Sequence, residues 1–307
     1  MNIIIQKTMI KISYIKSDER QYNVERCLAL IKSEITQQIK LAKKVVIKID
    51  ASRPNNSGGV TNASALDSIL KCITPFVSGQ ITLVEGVKNG DTLTAFKNYN
   101  YLNLQSRYDL AIVDLNTDDY LPIILTDKEG RNTDVKVSKT LLESDYLISL
   151  SLPKTHNKIL YSGAIHNITG SAVVPAKATW LRKLLPNNNL EDEAIIYNDL
   201  NIATKNIIKL YDKLTPKLSV IDCFETVQGD GDIRDGNVQT HFAVASTNAI
   251  AADYLAAKCL GFEVEDIGYL STLSLETNDI FVIGDDYEKH KFSIKMPTNY
   301  EKIRQQK

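Results

Sequence analysis

Between Ser151 and Leu190 the chain carries five basic residues and no Asp or Glu, although 37 carboxylates occur elsewhere. His156 and His166, two of its four histidines, fall in this window beside Lys154, Thr155, Asn167, Gly170 and Lys177. A solvated face usually mixes signs, so cations and small polar residues without counter-charges predict an anion-binding pocket. Lysines would hold the charge, glycines would let backbone N–H groups approach, and an imidazole would carry a proton. A surface loop with scattered lysines is the plain alternative. Each histidine could equally be a structural hydrogen-bonder. A His–His–carboxylate metal site would need Asp222 or Glu225 brought to the pair by folding, since the ten-residue gap between His156 and His166 is no metal-ligand spacing.

Three further segments carry chemistry. Lys48 stands in VVIKI, a run that reads as a buried strand, so its ammonium either points into a crevice or snorkels to an edge. Ser57–Asn62, with two glycines, leads into a helix start and offers a second anion site. The segment VIDCFETVQGDGDIRDGN is acidic, with Glu225 near its start, and fails the calcium-loop template. It is either a polar turn or a partner that faces the basic window. Asp253 lies in an Ala/Leu-rich helix and is either exposed or paired inward.

These residues need a scaffold, and the pattern supplies one. Strands are expected at Lys7–Ile15, Val45–Ile49, Ile81–Glu85, Leu110–Leu115, Leu121–Leu125, Tyr146–Leu150, Leu218–Cys223, Phe242–Ala245, Ile280–Ile283 and Phe292–Ile294. Helices are expected at Tyr22–Lys43, Ala65–Phe76, Glu191–Leu214 and Ala249–Leu260. Asn62 or Ser64 would cap the second helix, Asn248 would cap the fourth, and Gly261 would stop it. Asn187–Asn189 reads as a flexible joint and the polar tail from Asn299 as frayed. Alternating strands and helices predict an α/β fold with a mainly parallel sheet and helices on both faces, Rossmann-like and three-layered. In such sheets ligands lie beyond the carboxyl ends of the strands, which here means the loops after Ile49, Glu85, Leu150 and Cys223.

The bulk numbers fit. The 307 residues are 43% hydrophobic and 24% charged, with a net charge of −1, so no basic field for nucleic acid exists. No apolar run reaches the length of a membrane helix, and the first residues lack a long apolar signal core, so the expected location is cytoplasmic. The four cysteines are far apart and read as buried hydrophobes. One α/β domain over 1–307 is expected, with 151–215 as a mostly helical insertion that could form a second lobe.

In their order along the chain, these motifs resemble the family known as domain of unknown function 362, from about Val45 to Leu270. Lys48 and its glycine-rich loop resemble the family's N-terminal lysine strand, and Leu152–His156 its Pro-Lys…Lys-Thr-His element. His166–Gly170 is similar to its Lys-Asn-x-x-Gly element, with His166 in the lysine position. Gly229–Asp232 is similar to its Glu-Gly-x-Gly-Pro turn, with Gln228 for Glu and Asp232 for Pro. Asn248–Asp253 and Gly261 resemble its Asp-x-x-Ala-x-Asp…Gly helix, with Asn248 for the first Asp. Many relatives are joined to ferredoxin-like iron–sulfur modules, which implies redox surroundings for them; this chain lacks such cysteines.

The expected site therefore joins His156 and His166 as proton carriers to Lys48, Lys154, Thr155, Asn167, Gly170, Lys177, Glu225 and Asp253 around a carboxylate or phosphate metabolite. No cofactor is named by the sequence. The alternative is a non-catalytic accessory protein that docks on a redox or cofactor-assembly partner. A metal-dependent hydrolase or racemase is a third.

Overall fold

The runs VVIK and YLISLS are buried at every position, as strands covered on both faces must be, and they lie side by side in the middle of one sheet. The computed structural model describes residues 9–51, 58–87, 90–174, 200–231, 236–275 and 279–305. Its strands are β1 (Ile10–Lys16), β2 (Val45–Lys48), β3 (Ile81–Glu85), β4 (Leu110–Asp114), β5 (Tyr120–Thr126), β6 (Asn132–Ser138), β7 (Tyr146–Ser151), β8 (Lys154–His156), β9 (Leu160–Ser162), β10 (Leu218–Val227), β11 (Asn237–Ser246) and β12 (Ile280–Gly284). The helices are α1 (Arg20–Leu30), α2 (Lys32–Ile39), α3 (Ala63–Ile73), α4 (Thr92–Asn98), α5 (Lys139–Leu142), α6 (Ala164–Thr169), α7 (Leu200–Lys213), α8 (Ala249–Cys259), α9 (Gly268–Leu273) and α10 (Tyr300–Arg304).

The main sheet runs β12-β1-β11-β10-β7-β2-β3-β4. Its strands are parallel except β11, which runs antiparallel to both β10 and β1. Each face carries its own core. Val24, Leu28, Ile35, Leu66 and Ile69 of α1–α3 cover one face, and Ile165, Ile168, Ile207, Leu210 and Leu255 of α6–α8 cover the other. The expected three-layer α/β architecture is therefore what the chain adopts. The register puts Lys48 of β2 opposite Ser149 of β7, and Ile221 of β10 opposite Ser151, so these carboxyl ends share one edge.

Both expected caps form. Asn62 accepts the Ser64 amide at 2.9 Å, and Asn248 accepts the Ala251 amide at 3.0 Å. Asn248→Ala should destabilise the protein by about 1 kcal/mol, read by chemical denaturation, since it strips the cap from a helix that is otherwise buried.

Several boundaries differ from expectation. The helix expected over Tyr22–Lys43 is two helices, because Ile31 leaves the helical region at φ −113°, ψ 19°. β6 was not expected: only Val135 and Val137 alternate inward within a polar run, and pairing with β5 supplies the rest. No strand forms at Phe292–Ile294. Those side chains dock by stacking on Phe242 and by the Phe292 amide donating to Cys259 O, without a ladder. Within the tail expected to fray, Tyr300–Arg304 form α10, held by buried Ile303 and by Arg304 against Asp266. The first half of the helix expected at Glu191–Leu214, the joint at Asn187–Asn189, and Asp232 and Lys177 lie outside the described residues.

Candidate functional site

Lys48 ends β2 on the face covered by α6 and is only 1% exposed. Its ammonium donates to Glu85 Oε1 at 2.8 Å, to Ile49 O at 2.6 Å and to Asn167 Oδ1 at 3.3 Å. An ammonium has three donors, so Lys48 is fully committed to protein partners. Glu85, equally buried at the end of β3, also accepts the Ala51 and Gly86 amides. Asn167 returns its side-chain amide to Lys48 O, Ser149 Oγ and Leu150 O. This knot ties β2, β3, β7 and α6 together at the carboxyl edge. Lys48 acts inside the fold here, where the sequence suggested a charge offered to the crevice.

Pro153 separates β7 from the short β8–β9 hairpin, in which Lys154 lies opposite Ser162 and His156 opposite Leu160. Residues two apart on a strand share a face, so Lys154 and His156 sit on one side with Ser162. Thr155 points the other way, is buried, and donates to Val227 O at 3.3 Å. Lys154 pairs with Asp50 at 2.8 Å, both side chains mostly buried. His156 Nδ1 accepts the Lys158 amide at 3.1 Å, which holds the ring against its own turn. His166, on α6, places Nδ1 2.6 Å from Ser162 Oγ. The two imidazoles meet edge to face, 5.1 Å between centroids. Lys154, His156, His166 and Ser162 are thus gathered at the edge where α/β sheets take ligands.

The remaining expected residues are placed differently. Asp253 is fully buried on α8, and its two oxygens accept the amides of Ala164 and Ile165 at 2.6 and 3.1 Å. Burial pushes its carboxyl up to about 7, against the lowering effect of those amides and of Tyr269. Gly170 closes α6 by donating to His166 O at 2.7 Å. Glu225 belongs to a separate cluster on the α1 face, where Arg20 bridges it at 3.0 Å to Asp222 at 3.2 Å. Burial pushes Asp222 up to about 6, offset in part by Arg20. Asp222 and Glu225 are thereby engaged with Arg20. Among the described residues no three His, Cys, Asp or Glu groups converge to hold a metal. The acidic turn does meet the basic strand. At Gly231, φ +80°, a Cβ would lie 2.5 Å from Thr155 O, so only glycine fits there.

Asp50 and Glu85 were missed as site groups. Their signal was available: Asp50 follows VVIKI directly and Glu85 ends its strand, so both carboxylates fall on the ligand-bearing edge. The basic window lacks counter-charges in sequence, but Lys154 receives one in space from Asp50.

No curated protein matches the chain. Among solved structures, the lactate racemase apoprotein from Thermoanaerobacterium thermosaccharolyticum is similar, with 16% identity and a TM-score of 0.47, over 83% of this chain and 58% of that one. A protein from Thermotoga maritima is similar with 11% identity and a TM-score of 0.42, over 67% of this chain and 51% of that one. The chain spans just over half the length of each. No helix among the described residues is long and apolar enough to cross a membrane. The family profile described as a domain of unknown function, DUF362, matches residues 45–258, which is most of the chain. Every residue of the cluster from Lys48 to Asp253 falls inside that match, and this chain belongs to the DUF362 family.

Proposed function

We propose that this protein binds an anionic small molecule, bearing a carboxylate or a phosphate, on the face of the β8–β9 hairpin, and that the His156–His166 pair moves a proton on it. The observation that carries this reading is the shared face: one ammonium, two imidazoles and one hydroxyl at the carboxyl edge of a parallel sheet. Asp50 orients Lys154 without exhausting an ammonium's three donors. Ser162 fixes the His166 ring, so that ring is held for proton transfer instead of rotating freely. With Lys48 withdrawn into the fold, Lys154 and a protonated histidine remain to hold the charge. Two charge-assisted hydrogen bonds contribute about 3–6 kcal/mol before lost freedom is counted, which describes a site of about millimolar affinity. A cytoplasmic setting is supported by the four cysteines, which stand as thiols.

Melting curves against a panel of carboxylate and phosphate metabolites test this. At ten times its dissociation constant a ligand adds about 1.4 kcal/mol, a rise of about 2 °C. Wild type should show that rise for one chemical class, and Lys154→Ala should lose it. Identical rises in both proteins, or none in either, would overturn the pocket.

A further inference from the structure

We infer that Asp253 is a positioning residue for the histidine pair: its carboxylate, together with Gly163, fixes the first turn of α6 and thereby where His166 and Asn167 point. The inference rests on the reading of that pair as the proton-moving group. It starts from a weakness in the local structure. α6 has six residues, too few to persist on its own intrachain hydrogen bonds. Its direction must come from outside.

Two anchors supply it. At the far turn, Asn167 is bound to β2 and β7 through Lys48 O, Ser149 Oγ and Leu150 O. At the first turn, α8 presents Asp253, whose separate oxygens take the amides of Ala164 and Ile165. These are amide donors of a first helical turn, which carries partial positive charge. A carboxylate can accept from both at once; an amide side chain has one accepting oxygen. Gly163 makes the approach feasible, because a Cβ there would lie 2.2 Å from Asp253 Oδ1 and 2.5 Å from the Tyr161 hydroxyl. His166 lies between the two anchors, on the helix that they hold. Its contact with Ser162, and its edge-to-face contact with His156, both depend on how α6 leaves Gly163.

The surroundings argue against Asp253 as half of an ion pair. Among the described residues the titratable groups that face it are Tyr161, Tyr211, Tyr269 and Cys223, and none of these is a cation. The backbone amides of α6 are the partners that reward its charge. Its complete burial also separates it from any ligand on the hairpin face, so its influence must pass through α6.

Histidine-selective NMR of the ligand-free protein tests this, with Asp253→Asn as the variant. The ring signals of His156 and His166 should shift, and their titration midpoints should move by about half a pH unit or more. His241 and His290, on β11 and in the C-terminal segment, should keep theirs and serve as internal controls. Amide exchange across α6 should quicken by about tenfold or more. A folded variant with unchanged His156 and His166 signals would overturn the inference. Should Asp253→Asn not fold, wild type decides the matter. The amides of Ala164 and Ile165 and the side-chain amide of Asn167, which does not itself titrate, should shift through one common midpoint, and separate midpoints would refute it. No ligand enters this experiment, so a failed melting panel and a failed positioning test are separate results.

Discussion

Glu85→Gln should destabilise the protein at pH 7 by about 3–5 kcal/mol, and Lys48→Met by somewhat less. Both partners are 1% exposed and 2.8 Å apart, so removal of either leaves a charge out of water with no opposite charge beside it. The orphaned group can escape only by neutralising itself, and each pH unit between the solution pH and an ordinary side-chain value adds about 1.4 kcal/mol to that escape. An ordinary lysine lies further above pH 7 than an ordinary glutamate lies below it. Loss of Glu85 is therefore the harsher change. The directions with pH are opposite. The penalty of Lys48→Met should shrink toward pH 5, where the lone carboxyl takes a proton. The penalty of Glu85→Gln should shrink toward pH 9, where the lone amine gives one up. Denaturant unfolding at pH 5, 7 and 9 reads both signs. Two nearly silent substitutions would mean that water reaches this knot. Asn167 also acts here, because it contacts Lys48 at both the ammonium and the backbone carbonyl.

That pair marks the boundary of what could be read before the fold was known. Periodicity located the buried strands, and the carboxyl-edge rule for α/β sheets pointed to the loops where Lys154, His156 and His166 gather. Lys48 was rightly singled out as odd in an apolar run, but its partner lies 37 residues away on another strand. Only the register of β2 against β3 brings them together, and register is a tertiary fact. The histidine pair was legible as two residues in a polar window, while their contact depends on α6 folding back over the β8–β9 hairpin. Asp253 resisted reading for a simpler reason. α8 is buried nearly all round, so helical periodicity gives no preferred face from which to infer which way a single acid points. Glu225 was grouped with the basic window because both follow strands on one edge. The alternation of side chains along β10 sends Asp222 to the α1 face instead, and Arg20 gathers both acids there.

Between pH 5 and pH 8 the protein should lose about 4 kcal/mol of stability, a fall in melting temperature of about 6 °C. Asp253 and Asp222 are both buried, with carboxyls pushed up to about 7 and about 6. Their folded values lie above the unfolded one, so the folded state holds these protons more tightly. Their contribution is complete below about pH 4 and is lost as pH rises through 6 and 7. The exposed carboxylates held low, Glu25, Glu34 and Asp145 among them, act in the opposite sense but only below about pH 5, so they contribute little within this window. Asp253 supplies about 3 kcal/mol of the change and Asp222 about 1 kcal/mol, since Arg20 already relieves the latter. Asp253→Asn should flatten most of the slope, and stability that rises from pH 5 to pH 8 in wild type would contradict the account. The direction bears on function. Above pH 7 the ionised Asp253 grips the two amides of α6 most strongly, yet the fold as a whole is then weakest. A neutral side chain at 253 would remove that penalty and leave the first turn of α6 with one acceptor fewer. Retaining a buried acid whose cost rises above pH 7 is intelligible if the placement of His166 matters more than the stability given up.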